Sequence, residues 1–490
     1  MYSSPLSPAG LPFLLWREAG FRLRNVFSGS RAAWAQALGR NFREAAQVRQ
    51  LRRLYGVTSF LFLDHQLCHA ASAYFTPPFE RALVLTLDER GDMRSGSLYL
   101  GEGDELRLLR PLRFPNSLGW FYSCVTELLG FRARRDEHKV QWLSKDGQPE
   151  FVPAFRELFR WDSDGLPVLN TRYLGSSGEE DSGFSGAVLR DLRLDSRVIA
   201  SDPRLRASLA RSARDFIEEI VLTIAERYRN QHSVDSLCVA GGLFLNVFLV
   251  RALETCGSFK QVHAQPVAGN SGTALGAALL ARKRIGRPAR QPYSISTLAL
   301  VSPPGRSRRF GKYPSGEEQL LAEAAQVLSR DKIVAWFRGR TEFGHRALGN
   351  RSILASPFSE YVIENVNHYI KHREDFHPFA FSAPAEAPRA CSTAPPIAGS
   401  WPRLASSNPR PRQACSAFLS RTAGCAFTPS AAKPTRASGA CCTSSASALL
   451  LPSSSMLPSI FLGSRWFPTR AKPSAVFIAP PSTPSPSATS

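Results

Sequence analysis

The chain has 490 residues, with 61 Lys and Arg against 40 Asp and Glu and a formal charge of +21. That length holds two or three domains with full cores, and no apolar run approaches the roughly 20 residues of a membrane span, which excludes a membrane partner of that kind. The basic excess does not demand nucleic acid either: residues 387–490 carry ten Lys or Arg and no acid, which leaves +11 for residues 1–386.

The cysteines split in the same way. Cys68, Cys124, Cys238 and Cys256 lie in the body, and five more lie beyond residue 390. Neither set has metal-knuckle spacing, and an odd count argues against a closed disulfide framework. Arg17 and Arg22 follow only a short apolar patch, so a clean signal-peptide pattern is missing and a cytoplasmic protein is expected.

In chain order, residues 1–56 read as an Arg-rich helical segment. Ser59 to Leu63 is an apolar run short enough for a buried strand. Asp64 is a good N-cap for a following helix, on which His65 and His69 stand one turn apart on the same face. Neutral imidazoles at that spacing can share one metal ion. The apolar run Ala82–Leu87 reads as a second strand ending in Asp88, where a carboxylate is placed to be a third ligand. Two nitrogens and one oxygen suit Fe(II), Zn or Mn. A packed core histidine and a turn-forming aspartate would give the same pattern, and a bare HxxxH is weak evidence.

Ser95–Leu100 and Leu106–Leu109 predict a hairpin around Gly101–Asp104, and Pro115–Ser123 opens a helix running to Leu129. Asp136–Ser144, with His138 and Lys139, reads as a polar loop, with a substrate-facing loop as the sharper option. Asp202 and Pro203 open a long amphipathic helix reaching Arg229. Strand Ser236–Ala240, the pair Gly241–Gly242 and a helix from Leu243 to Leu253 follow. The plan recurs at Val262–Leu280, where Gly269-Asn-Ser-Gly272 precedes a small-residue helix. Two glycine turns within a βα alternation allow backbone N–H groups to approach an anion and favour a nucleotide-type α/β domain.

Residues 284–316 read as a linker rich in Pro, Arg, Ser and Gly. A second α/β unit over 317–381 starts with helix Glu317–Ser329 and strand Ile333–Phe337. Its Arg338–Ile353 segment concentrates arginines among glycines, as bidentate binding of phosphate or carboxylate requires. Asn365–Phe376 adds Lys371 and Arg373.

With these segments assembled, the chain resembles the O-carbamoyltransferases of the nodulation and antibiotic-biosynthesis type from about residue 57 to Phe381. The closest matches are Asp64–Phe75, Leu85–Asp88, Ala240–Asn246, Gln265–Asn270, Glu342–Ser352 and Ile370–Phe379. The resemblance implies an α/β chain in two units, over 57–283 and 317–381. The first is similar to the actin-like ATPase superfamily and its threonylcarbamoyl-transfer relatives, with a divalent metal on His65, His69 and Asp88 and with Gly241, Gly242, Asn246 and Gly269 near the nucleotide. The second is similar to the fold that makes threonylcarbamoyl adenylate. It would join carbamoyl phosphate to ATP, giving carbamoyl adenylate and pyrophosphate, on Arg346, Asn350, Arg351, Ser352, Lys371 and Arg373. His138 or Lys139 would face a small-molecule hydroxyl acceptor. Two polyanionic substrates call for fixed cations, and a labile adenylate calls for cover from water. No nucleic-acid partner is expected, and the acceptor and the oligomeric state stay open. Alternatives are a tRNA threonylcarbamoyl-transfer protein or a non-catalytic metal- and nucleotide-binding module.

The chain departs from the family in several places. Residues 1–56 supply no opening strand and phosphate loop, so the first domain is expected to be incomplete. Asn270 stands where relatives carry a further carboxylate for the metal; its amide can ligate through oxygen but brings no charge. Position 345 is His where Pro is usual. After about residue 381 the text becomes Ala, Ser, Pro, Arg and Cys without periodicity, as in a disordered tail over 382–490. A reading-frame shift is the preferred account: one base earlier, the genetic code permits Leu-Asn-Ala-Ser-Phe-Asn-Ile-Leu-Gly-Glu-Pro across Ser455–Arg465, a family signature. On that account residues past 381 build no native second-domain core, and this form of the enzyme is expected to be impaired. Sequencing the gene across codons 375–400 tests it; an intact frame would contradict it.

Overall fold

The computed structural model describes residues 63–92, 94–173, 183–191 and 194–290, then 317–337, 342–344, 346–347, 350–355, 364–374, 376–377 and 379–382, with isolated positions between 50 and 61 and four short strands past residue 400. Residues 1–49 of the expected helical segment, most of the 284–316 linker and His345 lie outside the described residues, and positions 50, 53 and 54 are helical. The chain divides into two compact units, Met1–Pro292 and Tyr293–Ser490. Among the described residues no helix is long and apolar enough to cross a membrane.

The first unit opens with helix α1 (His65–Tyr74), capped by Asp64, whose Oδ1 accepts the Leu67 N–H at 2.9 Å. No strand precedes it at the described positions 61 and 63, and Leu61 is 42% exposed, so the expected buried strand over Ser59–Leu63 is not found there. Strands β1 (Arg81–Gly91), β2 (Arg94–Glu102) and β3 (Glu105–Arg113) form an antiparallel meander with the expected hairpin at Glu102–Glu105. Leu83, Val84 and Leu85 are all at 0% exposure, as a continuous apolar run buried on both faces must be. Edge strand β3 exposes Arg107, Arg110 and Arg113, charges that discourage further pairing. Asp88 does not end β1 as expected. It lies inside the strand, where the β1–β2 register shifts between Leu87 and Gly91, so the irregular ladder frees its side chain to turn aside.

Helix α2 (Leu118–Leu128) starts at Ser117, whose Oγ accepts the Trp120 N–H at 3.0 Å and itself donates to Glu89 O at 2.7 Å. The polar stretch Asp136–Ser144 is not the expected loop: Glu137–Leu143 is helix α3, with Val140, Gln141 and Trp142 buried. Tertiary packing overrides its polarity, because Trp142 meets the Phe248 ring edge-on at 5.6 Å and Gln141 Oε1 accepts the Val247 N–H at 3.2 Å. A short hairpin, β4 (Phe159–Trp161) and β5 (Pro167–Leu169), precedes the long helix α4 (Pro203–His232). Asp202 caps α4 by accepting the Arg204 and Leu205 N–H groups, and Phe216 on α4 packs against Phe121 of α2 at 5.2 Å.

Strand β6 (Ser236–Ala240) and strand β7 (Gln261–Ala264) continue the sheet in parallel, giving the order β3-β2-β1-β6-β7. Between them the expected helix from Leu243 is interrupted. A 3₁₀ turn at Gly242–Leu245 comes first, and helix α5 (Val247–Thr255) begins only after Asn246. Helix α6 (Thr273–Arg284) follows the turn Asn270–Gly272 and packs with α1 on Val84, Tyr99 and Cys238. Gly241 adopts φ +102°, and a Cβ there would lie 2.0 Å from the Leu87 carbonyl oxygen. Gly241→Ala is therefore expected to destabilise the first unit by about 3 kcal/mol, read as a fall in melting temperature.

In the second unit, helix α7 (Glu317–Ser329) buries Leu320, Leu321, Ala324 and Leu328 against strands β8 (Val334–Phe337) and β9 (Arg351–Ala355). A π-helix over Asn365–Lys371 ends at His372, which is left-handed at φ +49°. Strand β10 (Ala380–Ser382) joins β11 (Arg403–Leu404), β12 (Ala426–Phe427), β13 (Ser459–Leu462) and β14 (Val476–Ile478) in a sheet ordered β11-β12-β10-β13-β9-β8-β14. Within residues 382–490, expected to be without order, the described residues are these short strands, with β13 paired to β9 and β14 to β8. Ile460-Phe461-Leu462 and Val476-Phe477-Ile478 are β-favouring triplets within a stretch otherwise rich in Ala, Ser and Pro.

Candidate metal centre

Helix α1 presents His65 and His69 toward β1, and the Asp88 side chain meets them. His65 Nε2 is 3.0 Å from Asp88 Oδ2, His69 Nε2 is 3.2 Å from the same oxygen, and the two Nε2 atoms are 3.1 Å apart. His69 is fully buried, and His65 and Asp88 are each 8% exposed. Among the described residues this is the group of histidines, cysteines and acids whose donor atoms gather closely enough to hold one ion, all within 4.8 Å.

The orientation has local causes. The Glu89 N–H donates to Asp88 Oδ1 at 2.8 Å, which reserves Oδ2 for the imidazoles. The His65 N–H donates to Asp92 Oδ2 at 2.9 Å, tying the start of α1 to the end of β1. The His65 ring lies on Gly91, where a Cβ would fall 2.1 Å from its Cδ2. Burial would raise the Asp88 carboxyl. Hydrogen bonds from His65 and His69, with their charge, outweigh it and hold the group well below the usual carboxylate range. Burial lowers the His69 imidazole below its ordinary value against the opposing pull of Asp88, so its lone pair is available at neutral pH.

The donor set fits a divalent ion. Ligands at about 2.1 Å in adjacent octahedral positions stand about 3.0 Å apart, and tetrahedral ones about 3.4 Å apart. The separations of 3.0 and 3.1 Å lie nearer the octahedral edge, and the third, 3.2 Å, lies midway between the two. Two imidazoles and one carboxylate on one face of an octahedron leave positions for substrate. Asn270 lies beside His69 and is itself exposed, so the group opens to solvent on that side.

The Gly241–Gly242 turn lies against this group, because a Cβ on Gly242 would sit 2.9 Å from Asp88 Oδ1. The Gly241 N–H donates to Ala268 O at 2.8 Å, which joins this turn to the one holding Gly269. The Asn246 Oδ1 caps α5 by accepting the Phe248 N–H at 3.0 Å. Its Nδ2 is buried and without a partner. His138 is exposed on α3, and Lys139 lies 3.7 Å from Asp136 and over the Phe131 ring at 5.5 Å. Gly91, Glu89 and Asp92 were not singled out by sequence. The available signal was a glycine within a strand, three residues past a candidate ligand. Gly91→Ala is expected to displace the His65 ring and to weaken metal affinity about 10- to 100-fold, measured by titrating metal into the apoprotein.

In the second unit, the N–H groups of Asn350 and Arg351 donate to Glu342 Oε1 at 2.7 and 3.1 Å. The Arg351 guanidinium covers the Phe337 ring at 5.1 Å, and Ser352 is buried on β9. Burial lowers Arg346 to about 10. Burial, followed by the neighbouring charge of Arg373, lowers Lys371 to about 7, and the Lys371 Nζ has no partner. Arg373 Nε donates to Asn367 Oδ1 at 2.7 Å.

Comparison with known proteins agrees with these features. A family model of the carbamoyltransferase N-terminus matches residues 30–279, and one of the carbamoyltransferase C-terminus matches residues 325–396. The chain is 32% identical over 343 residues to the uncharacterized protein sll1178 of Synechocystis, covering 66% of this chain and 55% of that protein. It is 32% identical over 335 residues to the nodulation protein NolO of Bradyrhizobium diazoefficiens, covering 66% of this chain and 58% of that one. The chain thus spans little more than half the length of these curated relatives. Among solved structures, full-length HypF in its phosphate- and nucleotide-bound form is similar at a TM-score of 0.27 and 13% identity, covering 47% of this chain and 44% of that one.

Proposed function

The chain belongs to the carbamoyltransferase family, and from that premise we propose that it is an O-carbamoyltransferase working in two stages. The second unit forms carbamoyl adenylate from carbamoyl phosphate and ATP, releasing pyrophosphate and phosphate. The first unit, of the actin-like ATPase type, passes the carbamoyl group to the hydroxyl of a small-molecule acceptor. The observation that carries the reading is the meeting of His65, His69 and Asp88 beside the Gly241–Gly242 turn.

His65, His69 and Asp88 would hold a divalent metal, Fe(II) foremost and Zn or Mn otherwise, with the Asn270 amide oxygen at its open side. When bound, that metal supplies Lewis acidity toward the reacting oxygens. The chain's own groups do the rest. Asp88 brings the one negative charge of the donor set, burial biases the His69 imidazole toward its neutral form, and the two buried rings shield that side of the site from water. The backbone at Gly241, Gly242 and Gly269 accepts the close approach of an anionic group, since no side chain intervenes. In the second unit Arg346, Lys371 and Arg373 supply fixed positive charge for the phosphates, with Asn350, Arg351 and Ser352 framing them. His138 and Lys139 on α3 are the candidates for the acceptor side.

Carbamoyl-phosphate-dependent exchange between ATP and pyrophosphate tests the reading. It is run on this chain and on one with the reading frame restored past residue 381. Exchange that requires both ATP and carbamoyl phosphate is expected, stronger in the restored chain. No exchange in either form would contradict the proposal.

A further inference from the structure

The second unit holds a polar device that the roles above leave unused. Asn367 lies in the π-helix and is fully buried. Its backbone oxygen accepts the N–H groups of His372 and of Arg373, the latter at 2.9 Å. Its Oδ1 accepts from Arg373 Nε at 2.7 Å. The left-handed turn at His372 brings Arg373 back onto Asn367, which grips that residue by both backbone and side chain.

This grip fixes the amide orientation. A flipped Asn367 would set its NH₂ against the guanidinium, donor against donor. The Nδ2 therefore faces away from Arg373, buried and with no hydrogen-bond partner. Lys371 Nζ, at the end of the same helix turn, is likewise buried and without a partner. Burying two donors unpaired next to a guanidinium is unfavourable unless an acceptor completes the group. The two unpaired donors and the Arg373 guanidinium beside them, one neutral group and two cationic, suit a phosphoryl group.

We propose that Asn367 is a binding and positioning residue for the phosphoryl group of the adenylation substrates: its Oδ1 sets the Arg373 guanidinium, and its Nδ2 donates to the anion that Lys371 and Arg373 hold. This rests on the reading of the second unit given above. The phosphoryl group can come from carbamoyl phosphate or from ATP, and the experiment separates them.

The full-length chain is titrated calorimetrically with carbamoyl phosphate alone and with ATP alone, as wild type, Asn367→Asp and Lys371→Met. Asn367→Asp keeps the acceptor for Arg373 and replaces the donor by a negative charge. A purely structural Asn367 would tolerate it. The expected result is cooperative melting with affinity for one of the two ligands reduced tenfold or more, and that ligand is the source of the anion. Lys371→Met is expected to lose affinity for the same ligand. Where Asn367→Asp does not melt cooperatively, Asn367→Ser, which keeps a hydroxyl acceptor without the NH₂, takes its place with the same expectation. Wild-type affinity for both ligands in the Asp or Ser variant would overturn the role of Asn367 and leave the adenylation reading standing. A wild-type chain that binds neither ligand would overturn the adenylation reading and the role of Asn367 with it.

Discussion

His69→Ala is expected to purify without its metal and to lose carbamoyl transfer by on the order of 1000-fold or more, since one of three protein ligands is gone. The remaining pair, His65 Nε2 and Asp88 Oδ2 at 3.0 Å, can still hydrogen-bond one another, but two ligands do not hold an ion against dilution. The fold survives at a cost. His69 is fully buried, so its removal leaves a cavity and costs about 1–3 kcal/mol. Circular dichroism should show wild-type secondary structure with a lower melting temperature, and elemental analysis should show metal below one-tenth of an equivalent. Retention of a full equivalent of metal by His69→Ala would contradict the assignment.

The second large effect separates the two units. Lys371→Met is expected to reduce carbamoyl-phosphate-dependent ATP–pyrophosphate exchange by about 100-fold or more, as loss of a fixed charge at a developing anion does, while metal content stays at the wild-type level. The pH dependence carries the sign. Burial and the nearby Arg373 charge bring Lys371 down to about 7. Its Nζ is therefore charged below that value and increasingly neutral above it. Between pH 7.5 and 9, where carbamoyl phosphate keeps a constant charge, its affinity should fall by up to about tenfold per pH unit. Lys371→Met should show a flat profile over the same interval. A wild-type profile that is flat, or that rises with pH, would remove Lys371 from the anion site.

How much of this was legible in the sequence depends on the range of the interactions involved. The α1 histidines could be read because an N-cap, a four-residue spacing and an apolar face are all local, and Asp64, His65 and His69 supply them within six residues. Asp88 could be read from its place after a buried run. Its displacement into the strand could not, because the register shift depends on pairing with β2. Helix α3 was hidden because its support comes from Phe248 and the backbone of Val247, about a hundred residues away. The capping role of Asn246 could not be read, because it depends on α5 starting after a 3₁₀ turn rather than at Leu243. Gly91 as a seat for the His65 ring, and Asn367 as the grip on Arg373, depend on side chains meeting in space. Neither leaves a pattern that spacing alone would find.

X-ray absorption at the metal edge of the wild-type protein, purified without chelator, tests the central claim most directly. The account predicts about one ion per chain in a shell of nitrogen and oxygen donors at roughly 2.0–2.2 Å with the scattering signature of two imidazoles. That signature should fall to one in His65→Ala or His69→Ala. A shell containing sulfur, a shell without imidazole, or a protein that binds no divalent ion would contradict it.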